Sequence, residues 1–265
     1  MQSKREAKVG AADYGLDAPG VVRNLLFAGA VGLGLWIVTL TGVWSGRVIV
    51  GPLLFPLGNI GLITGSVSLA LAAWMVWESK LGKINGRERL LDLLPWTGSE
   101  RVLDVGCGRG LLLIGAAKRL SSGRATGIDI WQAEDLAGNR PEAVIDNARR
   151  ESVAERVEVR TADMREMPFE DATFDVVVSS NAIHNLYAAG DRARAIGEIS
   201  RVLKPGGRVM INDIRLLREY AGVLRNCGVM EVEVRRSWVV ATLLMVATMG
   251  SLRPGVLVAR KNPVV

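Results

Sequence analysis

Two long stretches without a charged residue lie near the start of this 265-residue chain, at residues 25–44 and 60–77. A helix needs about 20 apolar residues to cross the roughly 30 Å hydrocarbon core of a bilayer, so both stretches have spanning length. Prolines and glycines between them indicate a turn. The sequence therefore predicts a two-helix transmembrane hairpin over residues 21–79. Two buried helices of a soluble protein are the alternative.

The residues around these stretches predict the orientation of the hairpin. Basic residues flank the pair on the outside, namely Lys4, Arg5, Lys8, Arg23, Lys80, Lys83, Arg87 and Arg89, whereas the intervening loop has Arg47 alone. By the positive-inside rule, segment 1–20 and everything after the hairpin face the cytoplasm, at the cytoplasmic membrane. Trp44, Trp74 and Trp77 lie near the span ends, where aromatic rings favour lipid headgroups. The first apolar run starts too late for a cleaved signal peptide, so both runs are expected to be retained. Membrane lipids are therefore expected partners.

From about residue 85 the chain alternates short β-branched runs with amphipathic charged segments, which predicts an α/β sheet domain over residues 85–265. Strands are expected at 101–105, 125–130, 157–161, 174–179, 207–212, 231–235 and 255–259. Helices are expected at 88–94, 111–120, 141–151, 191–202 and 216–226. The segment 203–207, LKPGG, is expected to stop one helix and turn the chain into the next strand.

Charge and cysteine content exclude several classes of function. Residues 1–83 carry seven Lys/Arg and four Asp/Glu (7 − 4 = +3), and the rest carries 26 and 23 (26 − 23 = +3). The larger part is thus almost balanced and has no basic run that would grip nucleic acid. Cys107 and Cys227 are the only cysteines, too few for a disulfide framework or a metal site.

The segment 102–110, VLDVGCGRG, places three glycines behind an apolar run that ends in Asp104. Glycines at the end of a strand bring backbone amides against a ligand, while the next helix presents its positive N-terminus. Asp104 would repel a pyrophosphate but suits a cationic amino acid. Asp129, after the second strand, is placed to accept hydrogen bonds from ribose hydroxyls. Asp163, after the third, can meet an adenine amino group. The alternative interpretations are structural. The glycines would permit close packing of helix and strand, Asp129 would cap the next helix, and Asp163 would be an ordinary turn aspartate.

Five segments together, VLDVGCGRG, GIDI, TADM, FDVVVSSNAIHNL and RVLKPGGRVMI, resemble class I S-adenosylmethionine-dependent methyltransferases over about residues 86–260. The resemblance implies a Rossmann-like seven-stranded sheet of order 3-2-1-4-5-7-6, with strand seven antiparallel and helices on both faces. It also implies S-adenosyl-L-methionine as cofactor and S-adenosyl-L-homocysteine as product. Residue by residue, it assigns the methionine part to Asp104, Gly106, Gly108 and Gly110, the ribose to Asp129, and the adenine to Asp163 with Met164. The expected cofactor set also includes Cys107, Ile130, Trp131, Ser180 and Asn181.

Within that family, SSNAIHNL followed by EISRVLKPGG is similar to enzymes that methylate small molecules, including quinones and sterols. The Asn-Pro-Pro-Tyr type of motif found in amino-group methylating enzymes of nucleic acids and proteins is missing after the fourth strand. The sequence thus predicts a membrane-anchored methyltransferase of a lipophilic quinone, isoprenoid, phenol, thiol or lipid headgroup. A cofactor-binding membrane scaffold or sensor without catalysis is the alternative, and a nicotinamide-dependent oxidoreductase is a distant third. A homo-oligomer is compatible with the sequence.

Methyl transfer requires neither a metal nor a covalent intermediate, but a hydroxyl, thiol or carbon acceptor must lose a proton. His184, the only histidine, follows the fourth strand and is the candidate base. The alternative is that His184 holds the loop after the fourth strand in place. Asn181, Asn185, Asp213 and Tyr220 are weaker candidates for polar groups of the pocket. Trp131 either packs on the adenosine or covers the edge of the sheet.

A third apolar stretch, 237–252, interrupts the domain before the last strand. It is short for a membrane crossing and too apolar for an exposed loop. It is expected either to enter the cytoplasmic leaflet and admit a lipophilic substrate, or to cover the sheet or a dimer contact.

Overall fold

The computed structural model describes residues 11–132, 136, 138–236 and 252–263. The chain divides into two compact units. The first comprises Gly15–Lys83 with Gln132–Gly138, and the second comprises Met1–Tyr14, Ile84–Trp131 and Asn139–Val265. Of the described N-terminal residues, 11–14 belong to the second unit and 15–20 to the first.

The first unit is a helical hairpin. Its elements are helix α1 (Pro19–Leu40), the short antiparallel strands β1 (Val48–Val50) and β2 (Leu53–Phe55), and helix α2 (Leu57–Trp77), which continues as a π-helical turn over Glu78–Gly82. The first helix begins and ends earlier than the charge-free stretch suggested. Pro19 lies in its first turn, where the missing N–H costs nothing, and Gly42 just beyond its end adopts a φ of +74°.

Glycines line the contact between α1 and α2. A Cβ built on Gly32 would lie 2.7 Å from the carbonyl oxygen of Gly61 and 2.9 Å from Cα of Gly65. A Cβ on Gly61 would lie 2.6 Å from the carbonyl oxygen of Gly32. The two backbones therefore touch, an approach that small residues permit and that is common between helices in membranes.

The large apolar side chains of the hairpin point outward. Phe27 is 72% exposed and Ile63 is 64% exposed, and only 17% of the most apolar window of each helix is buried. By length and composition both helices are able to cross a membrane. The core helix of a soluble protein is mostly buried, whereas these two windows are largely exposed within the chain.

The second unit is built on a seven-stranded sheet. Its helices are α3 (Lys83–Leu91), α4 (Leu111–Arg119), α5 (Pro141–Arg150), α6 (Ala189–Val202) and α7 (Leu217–Asn226). Its strands are β3 (Arg101–Val105), β4 (Arg124–Asp129), β5 (Val157–Thr161), β6 (Phe174–Ser180), β7 (Leu203–Asp213), β8 (Val229–Arg235) and β9 (Gly255–Lys261).

The strand order is β5-β4-β3-β6-β7-β9-β8, with β9 antiparallel to both neighbours. Counted from β3, this is the expected order 3-2-1-4-5-7-6, so the predicted topology is confirmed. Successive residues of the central strands serve opposite faces. Val102 packs in one core cluster and Leu103 in the other, and Val176 and Val177 divide in the same way. The central strands thus carry buried apolar residues on both faces, because helices cover both faces of the sheet.

The observed elements differ from the predicted ones mainly at their ends. The segment LKPGG does not precede β7, because β7 begins at Leu203 directly after α6. Phe174 of β6 pairs with Leu203 and Val176 with Arg208, so the extra residues form an irregularity within the strand. Gly206 accommodates it with a φ of +76°. The apolar stretch 237–251 lies outside the described residues.

Candidate active site

The glycine-rich loop after β3 has the backbone geometry that its sequence demands. Gly106, Gly108 and Gly110 adopt φ values of +70°, +53° and +85°, a region that L side chains rarely enter. The N–H groups of Gly106 and Cys107 donate to the carbonyl oxygen of Ile128 at 2.9 and 3.0 Å. Cys107 is buried, and burial raises the pKa of its thiol, so it is a packing residue of this loop.

Three loops meet at Gly106. A Cβ built there would lie 2.3 Å from Cβ of Ala182, which follows β6, and 3.5 Å from Cε of Met164, which follows β5. The carboxyl ends of β3, β5 and β6 thus converge, as expected at the ligand-binding edge of a parallel sheet. The structure places Met164 at this junction, as the sequence suggested.

Asp104 faces inward. Its side chain is 2% exposed, and its Oδ2 accepts a hydrogen bond from the N–H of Leu113 in α4 at 2.8 Å. Burial raises the pKa of Asp104 to about 7, helped by the negative charge of Asp129 and opposed by the Leu113 bond. The buried carboxylate of Asp104 thus links the end of β3, next to the glycine loop, to α4, and does not lie at the surface.

Asp129 organises the same loop from its other side. Its Oδ2 accepts from the N–H of Gly108 at 2.8 Å, and its Oδ1 accepts from the N–H of Trp131 at 2.7 Å and from the Asn139 amide at 3.2 Å. A carboxylate has about four acceptor positions, so capacity for a ribose hydroxyl remains. The predicted ribose contact stays a prediction.

The residues after Asp129 lie along the edge of the sheet. Ile130 is 47% exposed. Trp131 has a φ of +61°, and its indole N–H donates to the hydroxyl of Thr161 in β5 at 2.7 Å. This bond favours the second of the two roles considered for Trp131, in which its ring covers the sheet edge.

Asp163 is paired with an arginine that the sequence analysis missed. Arg165 holds both carboxylate oxygens of Asp163 and also reaches Asp191 at 3.1 Å. The hydrogen bonds from Arg165 lower the pKa of Asp163. An adenine amino group at Asp163 would share the carboxylate with Arg165. The sequence signal that could have indicated this pair is the position of Arg165, a basic residue two positions after Asp163.

The loop after β6 carries the remaining predicted residues. The Ser180 hydroxyl accepts from the Asn212 amide at 2.9 Å, and the N–H of Asn181 donates to the carbonyl oxygen of Asn212 at 2.9 Å. Asn181 has a φ of +52° and is exposed. These bonds join the ends of β6 and β7, so the loop that contains His184 is anchored on both strands.

His184 forms a dyad with Asp213. Its Nδ1 lies 2.7 Å from Oδ1 of Asp213, the last residue of β7. Asp213 is 1% exposed and also accepts hydrogen bonds from the N–H of Ile214 at 2.7 Å and the Tyr220 hydroxyl at 3.2 Å. Burial, together with the charge of Asp213, raises the pKa of Tyr220, so Tyr220 remains a donor. Among the described residues, that Nδ1 is buried and makes no hydrogen bond of normal geometry, so its contact with Asp213 rests on proximity and on the charge of the carboxylate.

The N-terminal residues of the second unit also reach the glycine loop. Asn147 of α5 accepts from the N–H of Asp13 at 2.9 Å, and its amide donates to the carbonyl oxygens of Asp13 and Arg109 at 2.8 and 3.0 Å. Beside it, Arg87 donates to Glu151 and to the Tyr14 hydroxyl. Burial raises the pKa of Glu151, but hydrogen bonds from Arg87, Tyr14 and Lys118 outweigh it and lower that pKa to about 2. No pattern in the sequence predicted this network.

Comparison with known proteins agrees with this geometry. Residues 103–211 match the protein-family profile described as "Methyltransferase domain". The chain is 35% identical over 136 residues to 27-O-demethylrifamycin SV methyltransferase from Amycolatopsis mediterranei, covering 51% of this chain and 46% of that protein. It is 31% identical over 125 residues to the ubiquinone/menaquinone biosynthesis C-methyltransferase UbiE of Roseobacter denitrificans, covering 47% and 46%. The matched region spans less than half the length of each relative.

The fold is also that of a solved methyltransferase. The geranyl diphosphate C-methyltransferase from Streptomyces coelicolor A3(2), solved with Mg²⁺, geranyl diphosphate and S-adenosyl-L-homocysteine, aligns with a TM-score of 0.53 at 18% identity. The alignment covers 67% of this chain and 78% of that one. Residues 103–211 are thus similar to a methyltransferase domain, and the alignment shows that the fold is shared with the solved enzyme.

Proposed function

We propose that the whole chain is a membrane-anchored methyltransferase that transfers a methyl group from S-adenosyl-L-methionine to a lipophilic small molecule. The His184–Asp213 dyad at the carboxyl edge of the sheet carries the catalytic part of this proposal. The outward-facing apolar hairpin supports the membrane part.

The cofactor edge fits the expected ligand in its backbone rather than through free carboxylates. The residues that would hold the cofactor are the glycines of the 106–110 loop, which have no side chains to keep a ligand away from the backbone, Asp129 beside them and Met164 at the loop junction. When bound, S-adenosyl-L-methionine supplies an electrophilic methyl group on a positively charged sulfur. Holding the acceptor in line at near-attack distance provides much of the rate acceleration in such reactions.

His184 would take the proton of the acceptor. The bound cofactor would supply the methyl group and would leave as the neutral thioether S-adenosyl-L-homocysteine, so the acceptor has only a proton to lose. The proton of the acceptor passes to Nε2 of His184. Asp213 stabilises the resulting imidazolium through Nδ1, and Tyr220 and the N–H of Ile214 hold Asp213 in place.

Three observations support a lipophilic acceptor. The named relatives act, by their names, on a rifamycin and on quinone precursors, and the solved neighbour holds geranyl diphosphate. The apolar stretch 237–251 joins β8 and β9, whose connected ends lie at the same sheet edge as Asp213. A membrane anchor raises the local concentration of a substrate dissolved in the bilayer.

A labelling experiment tests the activity. Detergent-solubilised full-length chain is incubated with S-adenosyl-L-methionine carrying a labelled methyl group and an extract of membrane lipids. Label is expected in a product that partitions into organic solvent. Label on protein or nucleic acid alone would contradict the proposed substrate class. Cofactor binding without turnover on any extract fraction would favour the scaffold or sensor alternative.

The two cysteines provide a test of membrane topology. Cys227 is exposed and Cys107 is buried, so a membrane-impermeant maleimide should report Cys227 alone. We expect the chain to stay in the pellet after alkaline carbonate washing. Cys227 should react in inverted vesicles but not in intact spheroplasts. A Cys227→Ser variant, which should not react in either preparation, is the control. Release by carbonate, or reaction in spheroplasts, would contradict a cytoplasmic, membrane-anchored domain.

A further inference from the structure

Four arginines gather at the sheet edge next to the His184–Asp213 dyad. Arg215 and Arg218 follow β7, Arg236 follows β8, and Arg253 precedes β9. Arg215 donates from Nη2 to the carbonyl oxygen of His184 at 3.2 Å. The N–H of Arg253 donates to the carbonyl oxygen of Ile214 at 2.7 Å. The arginine cluster therefore adjoins the catalytic loop directly.

The side chains of this cluster lack acidic partners. Within the part of the chain that the structure describes, the buried Nε atoms of Arg215 and Arg236 have no hydrogen-bond partner. No carboxylate in the described ranges forms an ion pair with any of the four arginines. Elsewhere in the same unit, buried arginines are matched, as Arg87 is to Glu151. A buried guanidinium donor without an acceptor is costly, so its presence calls for a ligand.

The acids closest in the chain are already engaged. Glu219 pairs with Arg192, and Glu233 pairs with Arg235. Asp213 accepts from Ile214 and Tyr220 and faces His184. The segment 237–251, which joins Arg236 to Arg253, contains no acidic residue. The positive charge of the cluster is therefore not neutralised from these neighbouring segments.

Three of the four arginines are close enough to repel one another, namely Arg218, Arg236 and Arg253. A Cβ on Gly255 would lie 2.7 Å from Cγ of Arg236 and 3.1 Å from Cδ1 of Leu217, so Arg236 folds over the start of β9 toward the first turn of α7. Burial lowers the pKa of Arg236, and so do the positive charges of Arg218 and Arg253. Mutual repulsion of this kind is relieved when an anion binds between the guanidinium groups.

Resting on the proposed methyl-transfer function, we propose that this arginine cluster binds a phosphate or diphosphate group of the acceptor substrate. Arginine forks match phosphate oxygens in pairs, and the cluster lies on the side of His184 away from the glycine loop, toward β7, β9 and β8. The acceptor is then amphiphilic, with its anionic group on the arginines and its reactive atom near His184. A soluble phosphorylated isoprenoid and a phospholipid headgroup share this chemistry.

Inorganic pyrophosphate is the probe for this site. It is titrated calorimetrically into full-length chain in neutral detergent, with S-adenosyl-L-homocysteine at saturation. Saturable binding is expected, weakened at least about tenfold in an Arg236→Gln/Arg253→Gln double variant. Arg208→Gln is the matched control, because Arg208 lies toward the other end of β7, paired with Arg260. Unchanged affinity for S-adenosyl-L-homocysteine shows that each variant is folded.

Two results would overturn the proposal. One is equal pyrophosphate affinity in the double variant and the wild type, or no saturable binding at all. The other is displacement of S-adenosyl-L-homocysteine by pyrophosphate, which would assign the cluster to the cofactor carboxylate. No turnover is measured, so these results stand apart from the outcome of the methyl-transfer assay.

Lipid nanodiscs distinguish the two sources of phosphate. If phosphatidylglycerol weakens pyrophosphate binding relative to phosphatidylcholine, and the double variant loses this competition, the ligand is a lipid headgroup. If pyrophosphate binds equally in both lipids, the ligand is a soluble phosphate ester. Once an acceptor is known, the double variant should raise the KM for that acceptor and leave the KM for S-adenosyl-L-methionine unchanged.

Discussion

His184 and Asp213 lie 2.7 Å apart, Nδ1 to Oδ1, although they come from different strand ends and Asp213 is only 1% exposed. A buried carboxylate this close to an imidazole stabilises the protonated form of the ring when it accepts a proton. The same arrangement explains why Tyr220 and Ile214 donate to Asp213, since both hold the carboxylate in position.

Asp213→Asn should lower kcat by about 10²-fold or more, because the amide no longer favours a proton on Nδ1. His184→Gln should lower it similarly, and the double variant should lose little more than either single one, since the two residues act as a unit. Affinity for S-adenosyl-L-homocysteine should stay unchanged in all three. Tyr187→Phe, at a position that is 95% exposed, is the control. Additive losses in the double variant would show that Asp213 acts independently of His184.

Gly106→Ala should weaken S-adenosyl-L-homocysteine binding at least about tenfold. Its backbone φ is +70°, which costs an L residue about 1–2 kcal/mol, and the added Cβ would lie 2.3 Å from Cβ of Ala182. The three loops that converge there would have to separate. Calorimetric titration measures the effect. Gly222→Ala is the matched control, because nothing lies within 4 Å of a Cβ at that helical position. Normal binding by Gly106→Ala would place the cofactor elsewhere.

The alternation of strands and helices was predictable from sequence because it depends on local patterns, and so was the glycine loop at the end of the first strand. The strand order was different, since it came from the resemblance to class I methyltransferases. The sequence did not predict which side chains would pair. Asp104 turned toward Leu113, Asp163 paired with Arg165, and His184 met Asp213. Each of these contacts depends on which neighbouring element places a partner within reach, and a single sequence does not give the distances between elements.

The sequence also did not predict the residues at which the helices begin and end. Helix α1 begins at Pro19 and ends at Leu40, although the charge-free run continues to residue 44, because hydropathy does not mark where a helix stops. The arginine cluster illustrates a related limit. Its members come from three separate chain segments, and only the antiparallel return of β9 beside β7 brings them to one edge.

Asp104 should make stability depend on pH between about 4 and 7. Its pKa in the folded protein is about 7, above the ordinary value of 3.8, so its protonated form stabilises the fold. That stabilisation is complete below about pH 4 and is lost as the pH rises through 7. Between pH 5 and 8, Asp104→Asn should therefore gain about 2–3 kcal/mol relative to wild type. Thermal midpoints in detergent measure this gain. A pH-independent difference, like that expected for the exposed Asp146→Asn, would refute it.

The hairpin predicts a sharp difference between two glycines of α1. Gly32→Val should separate the helices, because its Cβ would meet backbone atoms of Gly61 and Gly65 at 2.7 and 2.9 Å, and backbone cannot move aside as a flexible side chain can. Gly34→Val places the same side chain where nothing lies within 4 Å. Hydrogen exchange of peptides from α1 and α2 in detergent should accelerate in the first variant only. Equal protection in both variants would mean that the glycine contact does not hold the hairpin together.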